Sequence, residues 1–103
     1  MTYVFTPPET PSLPVAGTGD RFPVRRIFCV GRNYAEHARE MGNDERDPPF
    51  FFTKPADAII ESGARLPYPA ATSDLHHEAE LVACIGKGGA DIAAGNALAH
   101  VWG

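Results

Sequence analysis

The sequence predicts a mixed α/β chain in which β-structure dominates, and three observations carry that expectation. Its apolar residues fall in short runs, chiefly Ile27–Val30, Phe50–Lys54 and the latter part of His76–Ile85, of strand rather than helix length. The runs are separated by turn-forming stretches, and ten glycines and ten prolines imply much irregular connection. A single segment, Asn33 to Met41, combines helical spacing with both a start and a stop signal.

Residues 1–24 form a proline-rich arm with little periodicity, and one short strand is expected around Tyr3–Phe5. Ile27–Val30 reads as a short buried strand and Gly31 as a break. Asn33 then serves as a helix N-cap, with Glu36 three residues later in a capping-box arrangement and Gly42 as the stop. Tyr34, Ala38 and Met41 share one face of that helix, while His37 and Glu40, three apart, are surface neighbours. The charged, proline-stopped stretch 43–49 is a loop that can act as a lid hinge. Phe50–Lys54 is expected as a buried strand, Ala58–Glu61 as a second short one, and Glu61–Ala64 as a turn. Pro67-Tyr68-Pro69 marks a stiff connector, and His76–Ile85 a further strand. Gly86-Lys87-Gly88-Gly89 lacks the spacing of a phosphate-binding loop and reads as a hairpin turn. Alanine-rich Asp91–His100 suits a short helix, weakened by Gly95-Asn96.

The chemistry concentrates in two places. On a strand, Glu78 and Glu80 would share a face with His76, and paired carboxylates suit a hard divalent cation better than zinc. Read alone, such a pair is far more often a solvated strand end than a metal site. Glu40 beside His37 could fix the imidazole tautomer and stabilise its protonated form, as a general base acting on water requires, or the two could be an ordinary exposed pair. Lys54 and Arg32 are each suited to a substrate carboxylate or to a structural role. Cys29 and Cys84, in apolar runs, are expected to be reduced and buried. His76 is a candidate supporting group for the glutamates.

Taken together, Ile27-Phe28-Cys29-Val30-Gly31-Arg32-Asn33-Tyr34 with His37 and Glu40, then Phe50-Phe51-Phe52-Thr53-Lys54-Pro55, then Leu75-His76-His77-Glu78-Ala79-Glu80-Leu81 resemble the fumarylacetoacetate hydrolase family, in the same order and with fitting gaps. The resemblance implies a rolled, mixed β-sheet fold with few helices, usually dimeric. It implies an enzyme that uses Mg²⁺ or Mn²⁺, with Ca²⁺ as a further option, to hydrolyse a carbon–carbon bond in a β-diketo acid. Glu78 and Glu80 would be metal ligands and His37 with Glu40 the water-activating dyad, while Arg32 and Lys54 would bind substrate. The 40–52 region looks most like members acting on fumarylpyruvate or maleylpyruvate in aromatic-compound breakdown. Other acylpyruvate hydrolases, oxaloacetate decarboxylases and dienoate isomerases share the scaffold. The family's later metal-binding aspartate and its later lysine and threonine have no counterpart here. Residues 25–103 are therefore expected to be the N-terminal part of a catalytic domain, inactive alone.

A net charge of −4 without a basic run argues against nucleic acid as a partner. No apolar stretch approaches the roughly 18–20 residues that span a bilayer, and Met1–Pro14 lacks signal-peptide features, so a cytoplasmic protein is expected. A non-catalytic metal-binding module, or an interaction domain using the arm as an extended ligand, are the readings from other classes.

Overall fold

The computed structural model describes residues 1–31 and 48–103, which fall into two units, Met1–Leu66 and Pro67–Gly103. In the first, β1 (Ser12–Pro14) pairs antiparallel with β2 (Arg21–Pro23), with Leu13 opposite Phe22. Pro14 and Pro23 fit because they sit at strand ends of a two-stranded ribbon, where no second neighbour needs an N–H. Residues 15–20 close the hairpin: Val15 N–H donates to the Asp20 carbonyl at 3.0 Å and Asp20 N–H to Thr18 Oγ1 at 3.0 Å. Gly17 takes a φ of 76°, a left-handed conformation that a side chain would resist. The strand expected at Tyr3–Phe5 is absent, and those residues are exposed. Pro7 and Pro8 follow at once and cannot donate to a ladder, so regular pairing begins only at Ser12.

Two of the expected strands are present. β3 (Ile27–Gly31) pairs antiparallel with β4 (Phe50–Lys54), matching Ile27 with Lys54, Cys29 with Phe52 and Gly31 with Phe50. Alternation puts Ile27, Cys29, Gly31, Phe50, Phe52 and Lys54 on one face and Phe28, Val30, Phe51 and Thr53 on the other. The Phe50 and Phe52 rings tilt against each other with centroids 6.2 Å apart. The Phe50 ring lies where a Cβ on residue 31 would be, so a larger residue there would have to displace that exposed ring. Neither strand is buried as expected: β4 is exposed throughout and β3 mostly half-exposed, since a two-stranded sheet leaves both faces open.

Ala58–Glu61 is not a strand. Ala56–Ala58 forms a 3-10 turn behind Pro55, closed by Ala58 N–H donating to the Pro55 carbonyl at 3.0 Å, and residues 59–61 join no ladder. The turn over Glu61–Ala64 is present, with Ala64 N–H donating to Glu61 O at 3.1 Å and Gly63 at a φ of 83°. Arg21 ties the first hairpin to it, donating from Nε to Ser12 Oγ at 2.7 Å and from Nη2 to Glu61 Oε1 at 2.5 Å.

In the second unit, Ile85 and Val101 form an isolated antiparallel bridge. Around it, Trp102 N–H donates to Cys84 O at 2.7 Å, Cys84 N–H to Gly103 O at 2.6 Å and Gly86 N–H to His100 O at 2.9 Å. The intervening chain bends through Gly86–Gly89 without a tight hairpin turn, then forms a 3-10 helix over Ala94–His100. This helix replaces the one expected from Asp91, and Gly95 and Asn96, poor α-formers in its first turn, are consistent with the tighter, shorter form. The strand expected over His76–Ile85 is also absent except for its last residue: 76–84 has no ladder among the described residues, and 76–83 is exposed. Leu81 and Val82, apolar as a strand would require, are 92% and 74% exposed.

No side chain of the described residues is fully buried. The apolar runs thus have strand composition without the covering layer that normally rewards it.

Candidate metal and substrate site

Glu78 and Glu80 lie in an exposed segment that is anchored at both ends. On its N-terminal side, Pro67 and Pro69 fix their own φ angles, and Pro69 biases Tyr68 toward extended backbone. The Tyr68 hydroxyl accepts the Leu75 N–H at 3.1 Å. Within the loop so closed, Thr72 Oγ1 accepts the Asp74 N–H at 3.0 Å, and Asp74 Oδ1 lies 2.8 Å from His76 Nε2. A carboxylate only accepts, so Nε2 is the donor in that contact. On the C-terminal side stand the Cys84 bonds and the Ile85–Val101 bridge.

Both glutamates are exposed. With no ladder over 76–84, strand alternation does not hold them on a common face, and their closeness rests on separation by a single residue. Their donor chemistry fits a hard divalent ion: two anionic oxygen ligands and no sulfur or imidazole. Among the described residues, no group of three or more His, Cys, Asp or Glu side chains is gathered to hold an ion. Glu78 and Glu80 therefore suit part of a coordination sphere. Asp74 has His76 as its partner, and Asp91 sits in a bend with a φ of 52°. His76, expected to support the glutamates, is engaged by Asp74.

Lys54 ends β4 opposite Ile27, exposed, and belongs to the first unit, whereas the glutamates belong to the second. Arg32, His37 and Glu40, with the helix expected to carry the last two, lie outside the described residues. Cys29 and Cys84 are free thiols, as expected, but half-exposed rather than buried. The sequence did not foreshadow the Tyr68–Leu75 bond. Its one signal was the proline on either side of Tyr68.

The model of the family described as fumarylacetoacetate (FAA) hydrolase C-terminal matches residues 26–103. The chain belongs to this family. Among solved structures, fumarylpyruvate hydrolase from Pseudomonas aeruginosa, in complex with Mn²⁺ and pyruvate, is 55% identical, with a TM-score of 0.90 over 98% of this chain and 46% of that one. A putative fumarylpyruvate hydrolase from Burkholderia cenocepacia is also 55% identical, with a TM-score of 0.83 over 99% of this chain and 43% of that one. Among curated relatives, the mitochondrial oxaloacetate decarboxylase of Dictyostelium discoideum is 46% identical over 77% of this chain and 37% of its own length. The mitochondrial oxaloacetate tautomerase of Arabidopsis thaliana is 40% identical over 76% and 35%. The chain thus spans less than half the length of each of these four proteins.

Proposed function

We propose that the whole protein is a Mg²⁺- or Mn²⁺-dependent hydrolase of a carbon–carbon bond in a β-diketo acid, with fumarylpyruvate as substrate. The observation that carries this reading is the 55% identity, over nearly the whole chain, to a fumarylpyruvate hydrolase that holds Mn²⁺ and pyruvate. Pyruvate is one of the two products such a cleavage would release. In this reading Glu78 and Glu80 hold the ion, together with donors outside the described residues. When bound, the ion supplies Lewis acidity toward the keto oxygens of the substrate. His37, oriented by Glu40, takes a proton from water as the water oxygen adds to the fumaryl carbonyl. The bond to the pyruvate methylene then breaks, and that carbon receives a proton. Arg32 and Lys54 pair with the substrate's carboxylates.

The relatives that act on oxaloacetate support a second reading, decarboxylation or tautomerisation on the same scaffold. A panel assay of the whole protein on fumarylpyruvate, other acylpyruvates and oxaloacetate separates the two. Fastest turnover of fumarylpyruvate is expected, and equal rates across the panel, or none on fumarylpyruvate, would overturn the choice. For the metal, Glu78→Gln and Glu80→Gln should each weaken Mn²⁺ binding by at least about tenfold, since changing even an outer-shell partner costs about that much. Unchanged titrations in both variants would reject the site. The reading also includes a homodimer in the cytosol. The two free thiols fit a reducing compartment, and a monomer mass in light scattering would remove the dimer.

A further inference from the structure

We propose that Arg21 is a positioning residue for Lys54, clasping the N-terminal hairpin to the chain that leaves β4 and so steadying the end of the ladder that carries Lys54. The inference rests on the reading of Lys54 as a partner of a substrate carboxylate and adds a contact that places it. Lys54 forms the last register pair of the β3–β4 ladder, with Ile27. The chain runs from Gly31 to Phe50 at the other end, and the end of an antiparallel pair away from its connection is where the strands fray most readily. From Ile27 the chain leads back to Arg21. From Lys54 it leads forward to Glu61, through the 3-10 turn in which Ala58 N–H donates to Pro55 O at 3.0 Å. Arg21 Nη2 donates to Glu61 Oε1 at 2.5 Å, which closes residues 21–27 and 54–61 into a ring around the Ile27–Lys54 pair.

Arg21 is suited to this because its guanidinium is itself held. It lies opposite Pro14, so Ser12 is its diagonal neighbour across the hairpin, within reach of a long side chain. Nε donates to Ser12 Oγ at 2.7 Å and Nη2 to Ser12 O at 3.0 Å, which orients the planar fork toward Glu61. The hairpin is closed at its base by Val24 N–H donating to Pro11 O at 2.8 Å, and the Glu61 carbonyl accepts the Ala64 N–H at 3.1 Å. With side chains 47% and 54% exposed, the ion pair adds little to global stability, and its effect falls on where the ladder end sits. The family model begins at residue 26, beyond the hairpin, whereas the match to the Pseudomonas aeruginosa hydrolase takes in 98% of this chain, hairpin included. The clasp therefore joins a segment outside the family model to one inside it, and it can adjust a substrate contact without touching the glutamate pair.

The test is a double-mutant cycle of Arg21→Gln and Glu61→Gln in the whole protein, with Lys54→Met as companion, read by KM and kcat on fumarylpyruvate and by thermal unfolding. Lys54→Met is expected to raise KM by about tenfold or more, the usual effect of losing a hydrogen bond to a charged group, at a nearly unchanged kcat. Arg21→Gln, Glu61→Gln and the double variant should each raise KM by the same factor, about two- to fivefold, the range of an exposed ion pair, at a nearly unchanged melting temperature. If Lys54→Met raises KM and Arg21→Gln does not, the positioning role is wrong while the substrate role of Lys54 stands. If the effects of Arg21→Gln and Glu61→Gln multiply in the double variant, the two side chains act separately and there is no clasp. A melting temperature that falls in step with the rise in KM makes Arg21 a general structural contact, and the proposal also fails. If Lys54→Met leaves KM unchanged, the substrate reading of Lys54 is itself wrong, and the proposal goes with it.

Discussion

Gly86→Ala should open the bridge that anchors the C-terminal end of the glutamate segment. A Cβ on residue 86 would lie 2.8 Å from Trp102 Cβ and 3.6 Å from Trp102 Cα. The nearer atom is rooted in the backbone, so rotating the indole does not relieve the clash, and the two chain segments must separate. Overpacking of this kind costs about 1–3 kcal/mol. Restricting the unfolded chain by replacing glycine offsets about 0.4–1 kcal/mol of that. The net expectation is a local loss of about 1–2 kcal/mol, enough to raise the open population of the bridge by roughly five- to thirtyfold. Hydrogen exchange measures it directly at the amides of Cys84, Gly86 and Trp102, which bond across the closure. Two other glycines serve as internal controls. A Cβ on residue 88 would meet no atom within 4 Å, and Gly88 has no positive φ, so Gly88→Ala should leave these amides unchanged or slightly better protected. Gly63 also has open space but a φ of 83°, so Gly63→Ala should cost about 1 kcal/mol at its own turn and nothing at the bridge. Equal protection of the three amides in Gly86→Ala and Gly88→Ala would show that the Trp102 backbone does not limit the space at residue 86.

His37→Ala should leave Mn²⁺ affinity unchanged while lowering turnover by about 10²–10⁴, the usual contribution of a general base, and a matching loss of affinity would place His37 among the ligands. Arg21→Gln and Glu61→Gln should each change unfolding free energy by less than about 1 kcal/mol, because both partners are about half exposed and such pairs contribute little. Faster exchange at the Val15 and Val24 amides would still report the loosened hairpin, and a stability loss above about 2 kcal/mol would show that the pair is not solvent-screened. A polypeptide of residues 1–103 alone should show no turnover and should bind Mn²⁺ no tighter than about 10⁻³ M, since two exposed carboxylates make a poor site for a hard ion. Metal-dependent hydrolysis by that polypeptide at a rate near that of the whole protein would contradict this.

The sequence disclosed strands where a run was both apolar and matched by a partner of the same kind. Ile27–Val30 and Phe50–Lys54 are such a pair, and they form a ladder with β3 extended to Gly31. Tyr3–Phe5, Ala58–Glu61 and His76–Ile85 have comparable composition but no ladder among the described residues, and composition carries no record of what lies opposite a strand. The tendency of Ala94–His100 to turn helically was legible, but its 3-10 form was not. The same division holds for the site. The residue types, two carboxylates one residue apart behind a histidine, pointed to a hard cation without any geometry. The shared face of Glu78 and Glu80 was inferred from strand alternation, and it lapses where the strand does. The Tyr68 hydroxyl needed the fold itself, since nothing in Pro-Tyr-Pro names a donor seven residues away.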